Sequence, residues 1–99
     1  MAKYDVFVNP NGDGYLLEVQ TDLLDELKTR VVVPLIPYSS DIKTLRRLNP
    51  VFTIGGKQYF MFTHLIATVP AAPLAEPRAN LAGSDDQIDA ALEMLFQGF

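Results

Sequence analysis

Residues 30 to 36, Arg-Val-Val-Val-Pro-Leu-Ile, form a nearly unbroken apolar run whose three consecutive β-branched side chains favour extended backbone. A strand without a polar face must be covered on both sides. Pro34 withholds one ladder donor and is expected at an edge or a bulge. With 99 residues the chain has room for one core built around such a strand, so residues 1–99 are read as a single domain.

The flanking segments supply partners for that strand. Lys3 to Asn9 alternates β-branched and aromatic residues, Asn9-Pro10-Asn11-Gly12-Asp13-Gly14 gathers turn formers, and Tyr15 to Gln20 resumes an apolar run. That pattern predicts a hairpin with a six-residue loop. Val51-Phe52-Thr53-Ile54 and Lys57 to Phe62 flank Gly55-Gly56, a second hairpin whose glycines supply positive φ. Ala67-Thr68-Val69 is a last short strand. Asp41 to Leu48 is assigned a short helix. Pro70 to Gly83, rich in Ala and Pro, reads as a connection laid over the sheet.

Ser84 opens the final element. Ser84 and Gln87 have capping-box spacing, Asp85, Asp86 and Asp89 suit the positive end of a helix dipole, and Ile88, Ala91, Leu92 and Leu95 share one face. A helix of about 13 residues is marginal alone and must dock. It leads into Leu95-Phe96-Gln97-Gly98-Phe99, an apolar tip beside Glu93 where a basic last turn would be favoured. Either Gly98 ends the helix and Phe99 folds back onto Met94, or the tip is a hook offered to a partner. Five or six short strands plus one terminal helix predict a mostly β chain, a small partly open barrel or strongly bent sheet.

Composition excludes several functions. There is no cysteine, hence no disulfide framework and no thiolate nucleophile, which suits a reducing cytoplasm. Net charge is −4 and the pI about 4.7, against charge-driven binding of nucleic acid. The basic pair Arg46-Arg47 reads as a solvated face. No apolar stretch is long enough for a membrane span. His64 lacks the neighbours of a metal site or a nucleophilic pair, so no metal and no cofactor is expected. Asn11-Gly12-Asp13-Gly14 lacks the spacing of a calcium loop. Asp22, Asp25 and Glu26 around Leu23-Leu24 read as a solvated turn. The residues alone describe a binding module and not an enzyme.

Three stretches, Val19-Gln20-Thr21-Asp22-Leu23-Leu24-Asp25, Arg30-Val31-Val32-Val33-Pro34-Leu35, and Asp86-Gln87-Ile88-Asp89 with Phe96-Gln97-Gly98-Phe99, carry a resemblance that Asn49 to Ile54 and Ala67 to Pro70 extend over the whole chain. Together they resemble the CcdB family, plasmid-type toxins that poison bacterial DNA gyrase. The resemblance implies a cytoplasmic homodimer of SH3-like, partly open barrels of antiparallel strands, each with a C-terminal helix, a fold shared with toxin endoribonucleases. It implies binding to the gyrase A subunit, trapping of the gyrase–DNA cleavage complex, and neutralisation by a cognate antitoxin with a disordered C-terminal region. Catalysis, direct nucleic-acid binding and membrane contact are not implied.

The gyrase-binding residues implied are Leu23, Leu24 and Asp25 in one turn, with Glu93, Phe96, Gln97, Gly98 and Phe99 at the helix end. Antitoxin contacts are implied only as a region, around Asn9, Asn11, Asp13 and Tyr15. The chain departs from the family at Gln97, where a tryptophan is usual, at Glu93 in place of an asparagine, and at Phe99 in place of an aliphatic residue. Tryptophan faces often anchor interfaces, so Gln97 motivates an alternative, a member that binds antitoxin but no longer poisons gyrase. A further alternative is an endoribonuclease on the same fold, with Arg30, Thr53 and His64 as its nearest candidates.

Overall fold

The structure, a computed structural model, describes residues 2–98. Seven strands, β1 (Asp5–Val8), β2 (Tyr15–Glu18), β3 (Thr29–Pro37), β4 (Val51–Ile54), β5 (Lys57–Met61), β6 (Ala67–Pro70) and β7 (Ala79–Asn80), precede helix α1 (Asp85–Gln97). All pairings are antiparallel, in the order β4-β5-β3-β2-β1-β7 with β6 also on β3. The result is the expected SH3-like barrel, mostly β and nearly closed, with a C-terminal helix.

β3 is the spine. Along one edge it pairs with β2, and along the other it serves two strands in succession, β6 at Thr29–Val32 and β5 at Leu35–Pro37. Pro34 therefore lies at neither a sheet edge nor a bulge. It falls where the neighbouring chain leaves β5, so its carbonyl accepts from Phe62 N–H at 2.9 Å while its missing donor faces the gap before β6. The strand is covered on both faces, as its lack of a polar side requires. Val33 and Leu35 join Val6, Leu17, Phe52, Met61, Ile88 and Ala91 in the main core, and Val32 joins Phe7, Leu16 and Leu74 on the other face.

Both hairpins form where the turn residues place them. β1 and β2 pair Val8 with Tyr15 across the Asn9–Gly14 loop. Gly55 and Gly56, at φ 60° and 80°, make the two-residue turn between β4 and β5. Leu74 pins the Pro70–Gly83 connection over the second core face, and part of that connection, β7, adds a strand to β1 that no periodicity announces.

The predicted Asp41–Leu48 helix is absent. One helical turn begins, with Asn49 N–H donating to Leu45 O at 2.7 Å, but the buried Asn49 side chain accepts from Leu45 N–H and donates to Met61 O. With its N–H taken by Asn49, Leu45 does not donate back to Asp41 O, so the turn does not extend toward Asp41. α1 also starts differently from its capping-box spacing. A 3-10 turn over Ala82–Ser84 leads into it, Ser84 makes no side-chain cap, and Asp85 Oδ1 accepts from Asp86 N–H at 3.0 Å. Its apolar stripe is as expected, with Ile88 and Ala91 fully buried. Burying Ile88 alone contributes about 2 kcal/mol to docking.

Candidate functional site

The connection from β2 to β3 holds the first candidate segment. Thr21 caps a 3-10 turn over Asp22–Leu24, and no residue of that turn is buried. Leu23 is 92% exposed, with Leu24 and Leu27 about half exposed beside it. Three leucines in water cost a folded chain solubility without adding core.

What holds them there is polar and buried. Arg30, 5% exposed, donates from its guanidinium to the carbonyls of Asp25 at 2.6 Å, Thr29 at 2.8 Å and Leu27, and lies 3.3 Å from the Asp25 carboxylate. Gln20 donates from Nε2 to Leu24 O and Thr29 O and accepts from Val31 N–H. Beneath them Glu18, 1% exposed, places Oε2 3.7 Å from Arg30 Nε. Burial pushes the Glu18 carboxyl above its ordinary value, and the Arg30 charge offsets part of that rise. The leucine-bearing turn is thus preorganised from below by side chains that never reach the surface.

The second segment is the end of α1. Glu93 and Gln97 are exposed and Phe96 is 70% exposed, while Leu95 and Met94 are half-buried. Gly98 adopts the left-handed conformation and donates its N–H to Met94 O at 3.0 Å. Phe99, and with it the fold-back onto Met94, lies outside the described residues. Among the described residues no hydrogen bond or ion pair joins the Leu23–Asp25 turn to the helix end directly. Both are instead tied to the N-terminal turn. Lys3 N–H donates to Asp22 Oδ1 at 2.7 Å, and Tyr4 Oη donates to Asp89 Oδ1 at 2.9 Å.

The Asn9, Asn11, Asp13 and Tyr15 region lies at the other end of β3. Asn9 Oδ1 accepts from Asn11 N–H, Asn11 and Asp13 are exposed, and the Tyr15 ring meets Tyr59 edge-on at 5.1 Å. Gly14, at φ 85°, lies so close to β3 that a β-carbon would fall 2.1 Å from Leu35 O. Past Pro37 opens a groove of ≈ 700 Å³ lined by Tyr38 stacked on Phe60, by Arg46 and Arg47, and by Gln87 and Ala90 of α1. Among the described residues no acidic side chain lines it. The groove is not legible in the sequence. Its signal there, the Arg46-Arg47 pair, takes its position beside aromatic rings from contacts distant in sequence.

The three nuclease candidates do not assemble. Arg30 is committed to the turn at the start of β3, whereas Thr53 is exposed on β4, which pairs with β5 beside the far end of β3. At about 3.3 Å per residue those positions are roughly 20 Å apart. His64 is exposed, its Nδ1 3.4 Å from Asn49 Nδ2. Among the described residues no cluster of His, Asp and Glu could hold a metal ion, and no helix is long and apolar enough to cross a membrane.

The model of the CcdB protein family matches residues 3–98. Among solved structures the fold is similar to that of an endoribonuclease in complex with its cognate antitoxin from a mycobacterial species, with a TM-score of 0.74 over 97% of this chain and 94% of that one. Identity to it is 15%, so the likeness is one of fold.

Proposed function

The chain belongs to the CcdB family of toxin–antitoxin toxins, and on that premise we propose that it is a gyrase poison working by binding alone. The hook consists of Leu23, Leu24 and Asp25 together with Glu93, Phe96, Gln97, Gly98 and Phe99, presented by a cytoplasmic homodimer to the gyrase A subunit. The observation that carries this reading is Leu23, held at 92% exposure by a turn whose carbonyls are captured from beneath by Arg30 and Gln20. A rigid, exposed apolar anchor binds with little ordering cost. Occupation of the gyrase A subunit then holds the enzyme on cleaved DNA, and no bond is made or broken by the toxin.

The cognate antitoxin, with its disordered and acidic C-terminal region, engages the Asn9–Tyr15 loop and the Arg46/Arg47 groove. The basic and aromatic side chains of the groove suit an acidic segment carrying apolar side chains. A supercoiling and cleavage-complex assay with purified gyrase tests the main reading. The expected result is a trapped cleavage complex that antitoxin reverses; no binding to the gyrase A subunit would overturn it.

Gln97 favours a second reading, a member that binds antitoxin without poisoning gyrase. Glutamine has no aromatic face with which to anchor a contact. Under this reading the natural chain leaves gyrase active and Gln97→Trp confers poisoning. Strong poisoning by the natural chain would exclude it.

A further inference from the structure

Tyr4 packs against the barrel core and also reaches beyond it to α1. It is the residue other than glycine with positive φ, at 72°, among those described. A side chain in the left-handed region persists only when its surroundings fix it. Here they do so at three of its polar groups. Tyr4 N–H donates to Glu18 O at 2.8 Å, its carbonyl accepts from Leu81 N–H at 2.9 Å, and its hydroxyl donates to Asp89 Oδ1 on α1. The preceding residue, Lys3, donates its N–H to Asp22 Oδ1 on the leucine-bearing turn, and its carbonyl accepts from Asn80 Nδ2. Lys3 Nζ also sits 5.1 Å from the Tyr4 ring centroid.

From these contacts we propose that Tyr4 is a positioning residue which couples the Leu23–Asp25 turn to the helix carrying Glu93, Phe96 and Gln97, making two separate exposed segments one composite binding surface. The inference rests on the reading of those segments as a shared hook. Its physical content is a short path. The turn grips Lys3 through Asp22, the left-handed backbone at Tyr4 fixes where the next side chain points, and the hydroxyl grips α1 one turn before Glu93. Movement of the helix about its axis then shifts Tyr4, and through Lys3 the turn. Coupling of this kind is reciprocal, so loosening either end loosens the other.

Amide hydrogen exchange on the full chain tests the coupling without any partner. Tyr4→Phe, which removes only the hydroxyl, is expected to speed exchange about fivefold at Met94 to Gly98 and also at Leu23 to Asp25, the change for loss of one ordinary hydrogen bond. Asp89→Ala should match it, whereas Asp89→Asn, which keeps an acceptor oxygen, should restore slow exchange at both segments. From the other end, Asp22→Ala should speed exchange at Met94 to Gly98 although, among the described residues, Asp22 makes no hydrogen bond or ion pair to α1. Faster exchange confined to the helix, uniform acceleration across the barrel, or an Asp22→Ala variant with an unchanged helix would each overturn the proposal.

Affinity for the gyrase A subunit supplies the second arm. Tyr4→Phe should weaken it about fivefold. Equal affinity of Tyr4→Phe and the natural chain would overturn the composite surface while leaving the gyrase reading intact. If the natural chain binds no gyrase, that reading fails and hydrogen exchange alone decides the coupling.

Discussion

Glu18 and Arg30 meet beneath the leucine-bearing turn, and among the described residues Glu18 Oε1 and Arg30 Nε have no hydrogen-bond partner. A carboxyl whose folded pKa is raised favours its protonated form in the native state. Its stabilising contribution is therefore complete below the unfolded pKa and is lost as pH rises through the folded value. Urea unfolding of the natural chain and of Glu18→Gln is expected to give similar stabilities at about pH 4, near the unfolded pKa of a glutamate. The glutamine variant should gain relative stability toward neutral pH. A second site titrates at the opposite extreme. Burial, the hydrogen bond to Asp89 and the nearby Asp85 and Asp86 charges push Tyr4 up to about 12. Its hydroxyl thus keeps its bond to α1 while an ordinary tyrosine ionises, and a spectrophotometric titration of the four tyrosines should lose a component near that value in Tyr4→Phe. At Gly14 the constraint is steric. Alanine would drive a β-carbon against Leu35 O, so Gly14→Ala is expected to cost about 2 kcal/mol or more of unfolding free energy.

For single elements, the turn and its buried support can be separated experimentally. Leu23→Ser removes a side chain that contributes nothing to the core, so unfolding free energy should change by no more than about 0.5 kcal/mol while gyrase binding is lost. Arg30→Ala does the reverse of a surface change. It frees the carbonyls of Asp25 and Leu27, leaves Thr29 O to Gln20 alone and leaves Glu18 buried without its partner, and chemical denaturation should register a loss of about 3 kcal/mol. The elements that the sequence made legible are those whose signals are local. Two hairpins are marked by Asn9–Gly14 and Gly55-Gly56, α1 by its apolar stripe, and the spine by Val31-Val32-Val33. Elements fixed by distant partners were not legible. β7 is two residues that extend only because β1 offers an edge, and the Asp41–Leu48 helix is cut short by a side chain whose second contact, Met61 O, lies on another hairpin. The hook residues are proposed from family resemblance. Arg30 and Gln20 were not legible, because a buried polar support is invisible until its carbonyl partners are brought to it.

Over the whole molecule, β3 separates the leucine turn from the basic groove, which α1 borders through Gln87 and Ala90. The first residues of β3 bear the leucine turn, and beyond its last residues lie the Asn9–Tyr15 loop and the basic groove. Charge reversal at the groove, Arg46→Glu with Arg47→Glu, should weaken antitoxin binding and flatten its salt dependence while leaving gyrase affinity unchanged, as measured by calorimetry at low and physiological ionic strength. The length of β3 then sets a requirement on the antitoxin as a polymer. Nine residues of strand separate the two ends by roughly 30 Å. A single extended segment that anchors in the groove and also covers Leu23 must devote about nine residues to the crossing alone, at no more than about 3.6 Å each. A shorter antitoxin tail would leave the hook open even while firmly bound, so antitoxin length, independent of affinity, becomes a determinant of whether this toxin is silenced.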